Sequence, residues 1–261
     1  MNSENYQEVI KSLHSKEVRF KNVQKIRVSL LEEEENHWVL SIVQDLVKAV
    51  LDDSSQLKSI IMNMKSLALS LSLNLSSVHT DLLVGAISGL ENVRLTGTEL
   101  TSEKLTGILT ELSVVKDHKL KTLKLSWNDL RSVPTDILVA GISGLEVVEL
   151  ERTCLTKQQL IGILTGLATV EDLKLKTLDL EWNKLKSVPS EILVAGISRL
   201  EVVNLMGTEL TGEQFTGIYS MVADRRFARL RRIKLGGNNR RPSVSQDLWD
   251  RAQLNQSVRF I

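Results

Sequence analysis

The chain is poor in the residues that most chemistry needs. Its one cysteine, Cys154, excludes an internal disulfide. Its four histidines, His14, His37, His79 and His118, are scattered, and none stands at metal-ligand spacing from another histidine or from the cysteine. There is no GxxxxGK(S/T) string and no GxGxxG following a strand pattern, so no phosphate or dinucleotide loop is expected. Nor is the charge lopsided. Lys and Arg number 33 against 32 Asp and Glu, and a net charge of +1 carries no message about nucleic acid or a membrane surface. No apolar run is long enough to span a bilayer, and no apolar signal-type stretch follows the start MNSENYQEVIKSLHSK. The expectation is a cytoplasmic, non-enzymatic protein with no catalytic residues, no metal and no cofactor.

Repetition is what the chain does have. SVPTDILVAGISGLEVVEL, from Ser132, returns as SVPSEILVAGISRLEVVNL from Ser187, and more loosely precedes itself as SVHTDLLVGAISGLENVRL from Ser77. The offset is 55 residues both times. A period of this size signals a stacked solenoid. Within it the 11-residue string LxxLxLxxNxL, with Asn or Thr at the ninth place, begins at Leu90, Leu120, Leu145, Leu175, Leu200 and Leu230. Successive starts alternate between 30 and 25 residues apart.

The string has a physical reading. Leu120, Leu123 and Leu125 mark a short strand with its apolar side inward, and Leu130 turns the chain back into the core. The ninth places, Thr98, Asn128, Thr153, Asn183, Thr208 and Asn238, are polar where the stacked turns bury backbone groups that need partners. Identical residues stacked on neighbouring coils would satisfy them.

Six such strings resemble the leucine-rich-repeat family, over Leu57 to Arg241. The resemblance implies an α/β solenoid, a horseshoe with a parallel sheet on its concave face and helices or turns on the convex face. The longer return arm, LTKQQLIGILTGLATVEDL, places Leu160, Ile163, Leu164 and Leu167 at helical spacing, with Thr156 and Gln159 set as a capping box. It is similar to the units of ribonuclease-inhibitor-like and NLR-type repeats, with Thr where that family often has Cys. The shorter arm, SVPTDILVAGISG, opens at Pro134 into a compact turn or short helix closed by small residues. Cys154, beside the ladder residue Thr153, reads as a buried core thiol.

Residues 1–56 read as a mainly helical N-terminal cap, with VRFKNVQKIRVSL able to supply a strand or two. LKSIIMNMKSL, from Leu57, fits the repeat string loosely, and LALSLSLNLSS after it looks out of register. Residues 242–261 read as a C-terminal cap, with a helix at SVSQDLWDRAQL that packs Leu248 and Trp249 on the last coil, and a closing strand at SVRFI. A cap at each end implies one whole domain, and secreted repeats of this family usually carry Cys-rich caps, which these are not.

The variable places of the string define the surface. The fifth reads Arg94, Lys124, Glu149, Asp179, Asn204, Lys234; the seventh, Thr96, Ser126, Glu151, Glu181, Met206, Gly236; the eighth, Gly97, Trp127, Arg152, Trp182, Gly207, Gly237. Trp127 and Trp182 are two strands apart, about 10 Å at the usual ~4.8 Å spacing, which suits two apolar anchors on one partner segment. Glu149, Glu151, Asp179 and Glu181 repel one another unless a cation intervenes, so they select a basic partner, with Lys124 and Arg152 orienting a complementary group. A second, basic patch holds Arg225, Arg226, Arg229, Arg231, Arg232 and Lys234. It lacks aromatic interleaving, which disfavours nucleic acid. The reading is a monomer that binds a protein or peptide on its concave face, with no membrane. Two alternatives are open: a regulator of a partner enzyme such as a nuclease or small GTPase, and the ligand-sensing repeat region of an innate-immune receptor.

Overall fold

The computed structural model describes residues 25–29, 66–70, 75, 79–115, 118–224, 229–238, 244–254 and 258–260. Among the described residues, nine strands form one parallel sheet in chain order: β1 (Lys25–Ser29), β2 (Ser66–Ser70), β3 (Asn92–Thr96), β4 (Thr122–Lys124), β5 (Val147–Glu149), β6 (Thr177–Asp179), β7 (Val202–Asn204), β8 (Arg232–Lys234) and β9 (Arg259–Phe260). A parallel sheet in strict sequence order requires each connection to cross back on one side. The connections carry α1 (Thr80–Ser88), α2 (Ser102–Val114), α3 (Thr135–Ser143), α4 (Lys157–Thr169), α5 (Ser190–Ile197) and α6 (Gly212–Ala223), and α7 (Gln246–Gln253) precedes the last strand.

From β4 to β8 the strands are short because only the third to fifth places of each string pair. The central residue of each, Leu123, Val148, Leu178 and Val203, is fully buried, while the neighbours of the first three remain partly open. Register locks the same places together: Lys124 opposes Glu149, Glu149 opposes Asp179, and Asp179 opposes Asn204. The fifth-place column read from the sequence is therefore a column on the sheet.

The long arms form helices for the reasons their spacing gives. Leu160, Ile163, Leu164 and Leu167 of α4 are all buried, and Thr156 and Gln159 make the reciprocal capping box. Thr211 and Gln214 repeat it on α6. The short arms are helical too. Their small residues have a specific use: a methyl group on Gly141 would lie 2.7 Å from the Leu109 carbonyl, and one on Gly196 2.7 Å from that of Leu164. Those glycines let α3 and α5 approach the longer helices beside them.

Asn and Thr do not stack as like on like. Asn128 donates its amide to Leu95 on the coil before it, at 2.6 Å, and to its own Leu125 at 2.9 Å. Its oxygen accepts from the Leu100 N–H at 3.3 Å. Asn183 and Asn238 do the same to the coils of Thr153 and Thr208. The opposite junction uses a different residue. Gln159 donates to the carbonyls of Leu130 and Val133, both at 2.7 Å, and Gln214 to those of Leu185 and Val188. Asparagine joins each Thr coil to the Asn coil after it; glutamine joins that coil to the next Thr coil.

Three expectations are corrected or refined. Cys154 is exposed, not a core thiol. It occupies the tenth place with φ 56°, and the next residue, Leu155, turns inward instead. The strand before β3 lies at Ser66–Ser70, mostly within LALSLSLNLSS, the stretch that looked out of register, and its Leu67 pairs with Val93. Residues 25–29 of the first cap add a further strand to the same sheet. The helix expected from Asn36 lies outside the described residues. At the other end, Ser245 caps α7. Tyr219 of α6 meets Trp249 at 5.0 Å and Phe260 at 5.1 Å between ring centres, so the closing helix and strand share one aromatic cluster.

Candidate interaction surface

Immediately after each strand the chain turns at the eighth place, and all six described eighth places have positive φ. Gly97, Gly207 and Gly237 lie at 62–68°, and Trp127, Arg152 and Trp182 at 63°, 49° and 58°. A hydrogen-bond column runs along the stack at these places. The Trp127 N–H donates to the Glu151 carbonyl at 2.9 Å, Arg152 to Glu181 at 2.9 Å, and Trp182 to Met206 at 3.0 Å. Glycine suits this left-handed backbone; a bulky side chain there is an outlier. Three successive coils carry such side chains.

The column forces those three side chains into one line. The Arg152 guanidinium carbon lies 4.3 Å from the Trp127 ring centre and 4.9 Å from that of Trp182. The gap between the two indoles, which the sequence reading reserved for a partner segment, is thus filled by Arg152. The far side of Trp182 covers Gly207, where a methyl group would come within 2.8 Å of the ring. Both tryptophans remain about half exposed, at 46% and 49%.

Beside this stack sit the carboxylates. Lys124 forms an ion pair with Glu149, so it neutralises that residue instead of standing free. Asn204 bridges Asp179 and Glu181, donating at 2.8 Å to each. The Glu181 N–H donates to Asp179 at 2.9 Å. Among the described residues, no salt bridge reaches Glu151, Asp179 or Glu181. Burial pushes the Glu151 carboxyl above its ordinary range, and Glu181 and Asp179 push it further, against a hydrogen bond from Trp127 and the charge of Arg152. Asp179 is also raised, mainly by burial, with its hydrogen bonds opposing. The centre of the sheet face therefore holds negative potential that the fold leaves largely unpaired.

The basic patch is less compact. Arg229, Arg231 and Arg232 are exposed at the last coil, and Lys234 shares the fifth-place column with Asn204. Arg232 opposes Arg259 on β9, a like-charge neighbour invisible to the string pattern. Arg225 and Arg226 lie outside the described residues. A groove of about 340 Å³ on the opposite rim is lined by Glu146, Lys174, Lys176, Arg199, Glu201 and Arg229, with Leu173 and Leu175. Arg199 there donates to the carbonyls of Leu167, Ala168 and Glu171, closing the end of α4. The described residues contain no group of three or more His, Cys, Asp or Glu placed to hold a metal ion, and no helix long and apolar enough to cross a membrane.

Strand, turn and ladder together define the class: the fold is a leucine-rich-repeat solenoid with alternating coils. No protein-family model matches the chain, and no curated protein does. Among solved structures, the leucine-rich repeat-containing protein LegL7 from Legionella pneumophila is similar at 20% identity and a TM-score of 0.49. That match covers 82% of this chain and 63% of LegL7, so the chain spans less than two thirds of that protein's length.

Proposed function

We propose that this protein is a non-enzymatic interaction module whose open sheet face binds a protein or peptide with basic side chains. The observation that carries the reading is the set Glu151, Asp179 and Glu181, three carboxylates on adjacent coils with no salt bridge among the described residues. Packing like charges on neighbouring strands costs stability, and a solvated scaffold gains nothing from it. A ligand cation would recover that cost on binding. Glu149 contributes less, because Lys124 already pairs with it. Trp127 and Trp182 supply apolar contact area beside the charges, and Arg152 lies between them.

The test is cross-linking mass spectrometry of the native protein captured from its own cell extract. It runs beside a Trp127→Ala, Trp182→Ala, Glu149→Ala, Asp179→Ala variant checked for folding by circular dichroism. The expected result is a protein that cross-links to Lys124 and is lost with the variant. A partner that persists with the variant and cross-links around Lys234 moves the interaction to the end of the stack and defeats the reading.

A further inference from the structure

The line Trp127–Arg152–Trp182 departs from the repeat in one residue only. The tryptophans are copies of each other in equivalent Asn coils, 55 residues apart. Arg152 is not a copy of anything: at the same place the sister Thr coils have Gly97 and Gly207. Those glycines adopt φ of 62° and 63° without side-chain strain, whereas Arg152 is held at 49°. The tryptophans do not need an arginine to be seated, because the other face of Trp182 already rests on the bare backbone of Gly207.

The way Arg152 is held is also informative. Both faces of its guanidinium are covered by indole, yet its N–H groups make no hydrogen bond or salt bridge among the described residues. It is retained by cation–π attraction, which is weak at exposed sites, and by the charge of Glu151 nearby. Two indoles with a single guanidinium between them, and the Glu151, Glu181 and Asp179 carboxylates nearby, form a box matched to an organic cation.

We infer that Trp127 and Trp182 are the walls of a cation cage, that Arg152 is its built-in stand-in, and that an arginine of the bound partner takes its place. This rests on the open face being a surface for basic peptides. The choice of arginine follows from the group the cage already accommodates. The exchange gives up two cation–π contacts and restores two, while the incoming guanidinium adds hydrogen bonds to carboxylates that Arg152 does not make.

The experiment uses Arg152→Gly, which places at this turn the residue the sister coils have. A capped Gly-Arg-Gly peptide is titrated into wild type and variant while the indole N–H resonances of Trp127 and Trp182 are followed by NMR. In Arg152→Gly both resonances shift together, with affinity roughly tenfold tighter than wild type, equivalent to about 1.4 kcal/mol. Arg152→Lys, which keeps a resident cation, stays near wild type. Adding Trp127→Ala to Arg152→Gly abolishes the response of Trp182. The cage is disproved if the opened variant shows no indole shifts. Equal affinity with and without Trp127 disproves it as well. Tighter binding of a trimethyl-lysine peptide than of the arginine peptide overturns the assignment to arginine. Shifts at the Glu149 and Asp179 amides without indole shifts sink the cage yet leave the basic-peptide reading standing.

Discussion

Asn183 donates its side-chain amide to the carbonyl of Leu150, on the coil before its own, at 2.7 Å. The same nitrogen reaches the Leu180 carbonyl at 3.1 Å, and both acceptors are buried. Asn183→Ala strands the Leu155 N–H and takes the amide from both carbonyls, which keep the Thr153 hydroxyl and the residue 183 N–H, and should cost about 2 kcal/mol in urea unfolding. Asn183→Asp should cost at least as much at neutral pH, because a carboxylate has no hydrogen to give. An unchanged midpoint for both variants would mean water replaces the amide without loss.

The helix-facing glycines set up a contest of magnitudes. In an exposed helix Gly→Ala gains about 1 kcal/mol. At Gly196 the new methyl group meets the backbone of Leu164 at 2.7 Å, and overpacking costs roughly 1–3 kcal/mol. Gly196→Ala should therefore lower the melting temperature. Gly89→Ala, with nothing within 4 Å, should not. Equal effects at the two positions would show that α5 can slide away from α4.

The raised carboxyls fix the sign of a pH effect. Glu151 and Asp179 hold protons more tightly folded than unfolded. Their contribution to stability is complete below the ordinary carboxylate range and is lost as pH rises through their raised values. Glu151→Gln should therefore be neutral in acid and more stable than wild type at pH 7. Urea midpoints measured from pH 4 to pH 7 would show the difference growing with pH; a constant offset would contradict it.

Cys154 offers a quick check of the turn geometry. As an exposed thiol it should react fully with Ellman's reagent in the folded protein. A thiol that reacts only in denaturant would place it back in the core.

The sequence carried the sheet well and the turns poorly. The fifth-place column was legible because a single register buries Leu123, Val148, Leu178 and Val203 together, so Glu149 and Asp179 had to be neighbours. Ser66–Ser70 was hard to place because LALSLSLNL puts leucine at every second residue, and several registers then satisfy an alternating strand equally well. Cys154 misled because burial was inferred from its neighbour Thr153, whereas the backbone changes hand between the two coil types at the tenth place. Trp127 and Trp182 were correctly set two strands apart. That Arg152 lies between them depends on the left-handed turn shared by all three, and the string L-x-x-L-x-L says nothing about φ at its eighth place. The paired roles of Asn128 and Gln159 were hidden for a related reason: each reaches backwards across some 26 to 33 residues, beyond any local pattern.

The asparagine and glutamine bridges have a bearing on how such a chain can change length. A coil ending in Asn needs a Thr coil behind it to receive its amide, and a Gln-bearing helix in front to occupy its own carbonyls. Removing 25 or 30 residues would set two coils of one kind face to face and strand those groups. Removing 55 would leave every bridge with its mate. Growth or loss by recombination is thus confined to even numbers of coils, and anyone who lengthens or trims this array by design inherits the same arithmetic.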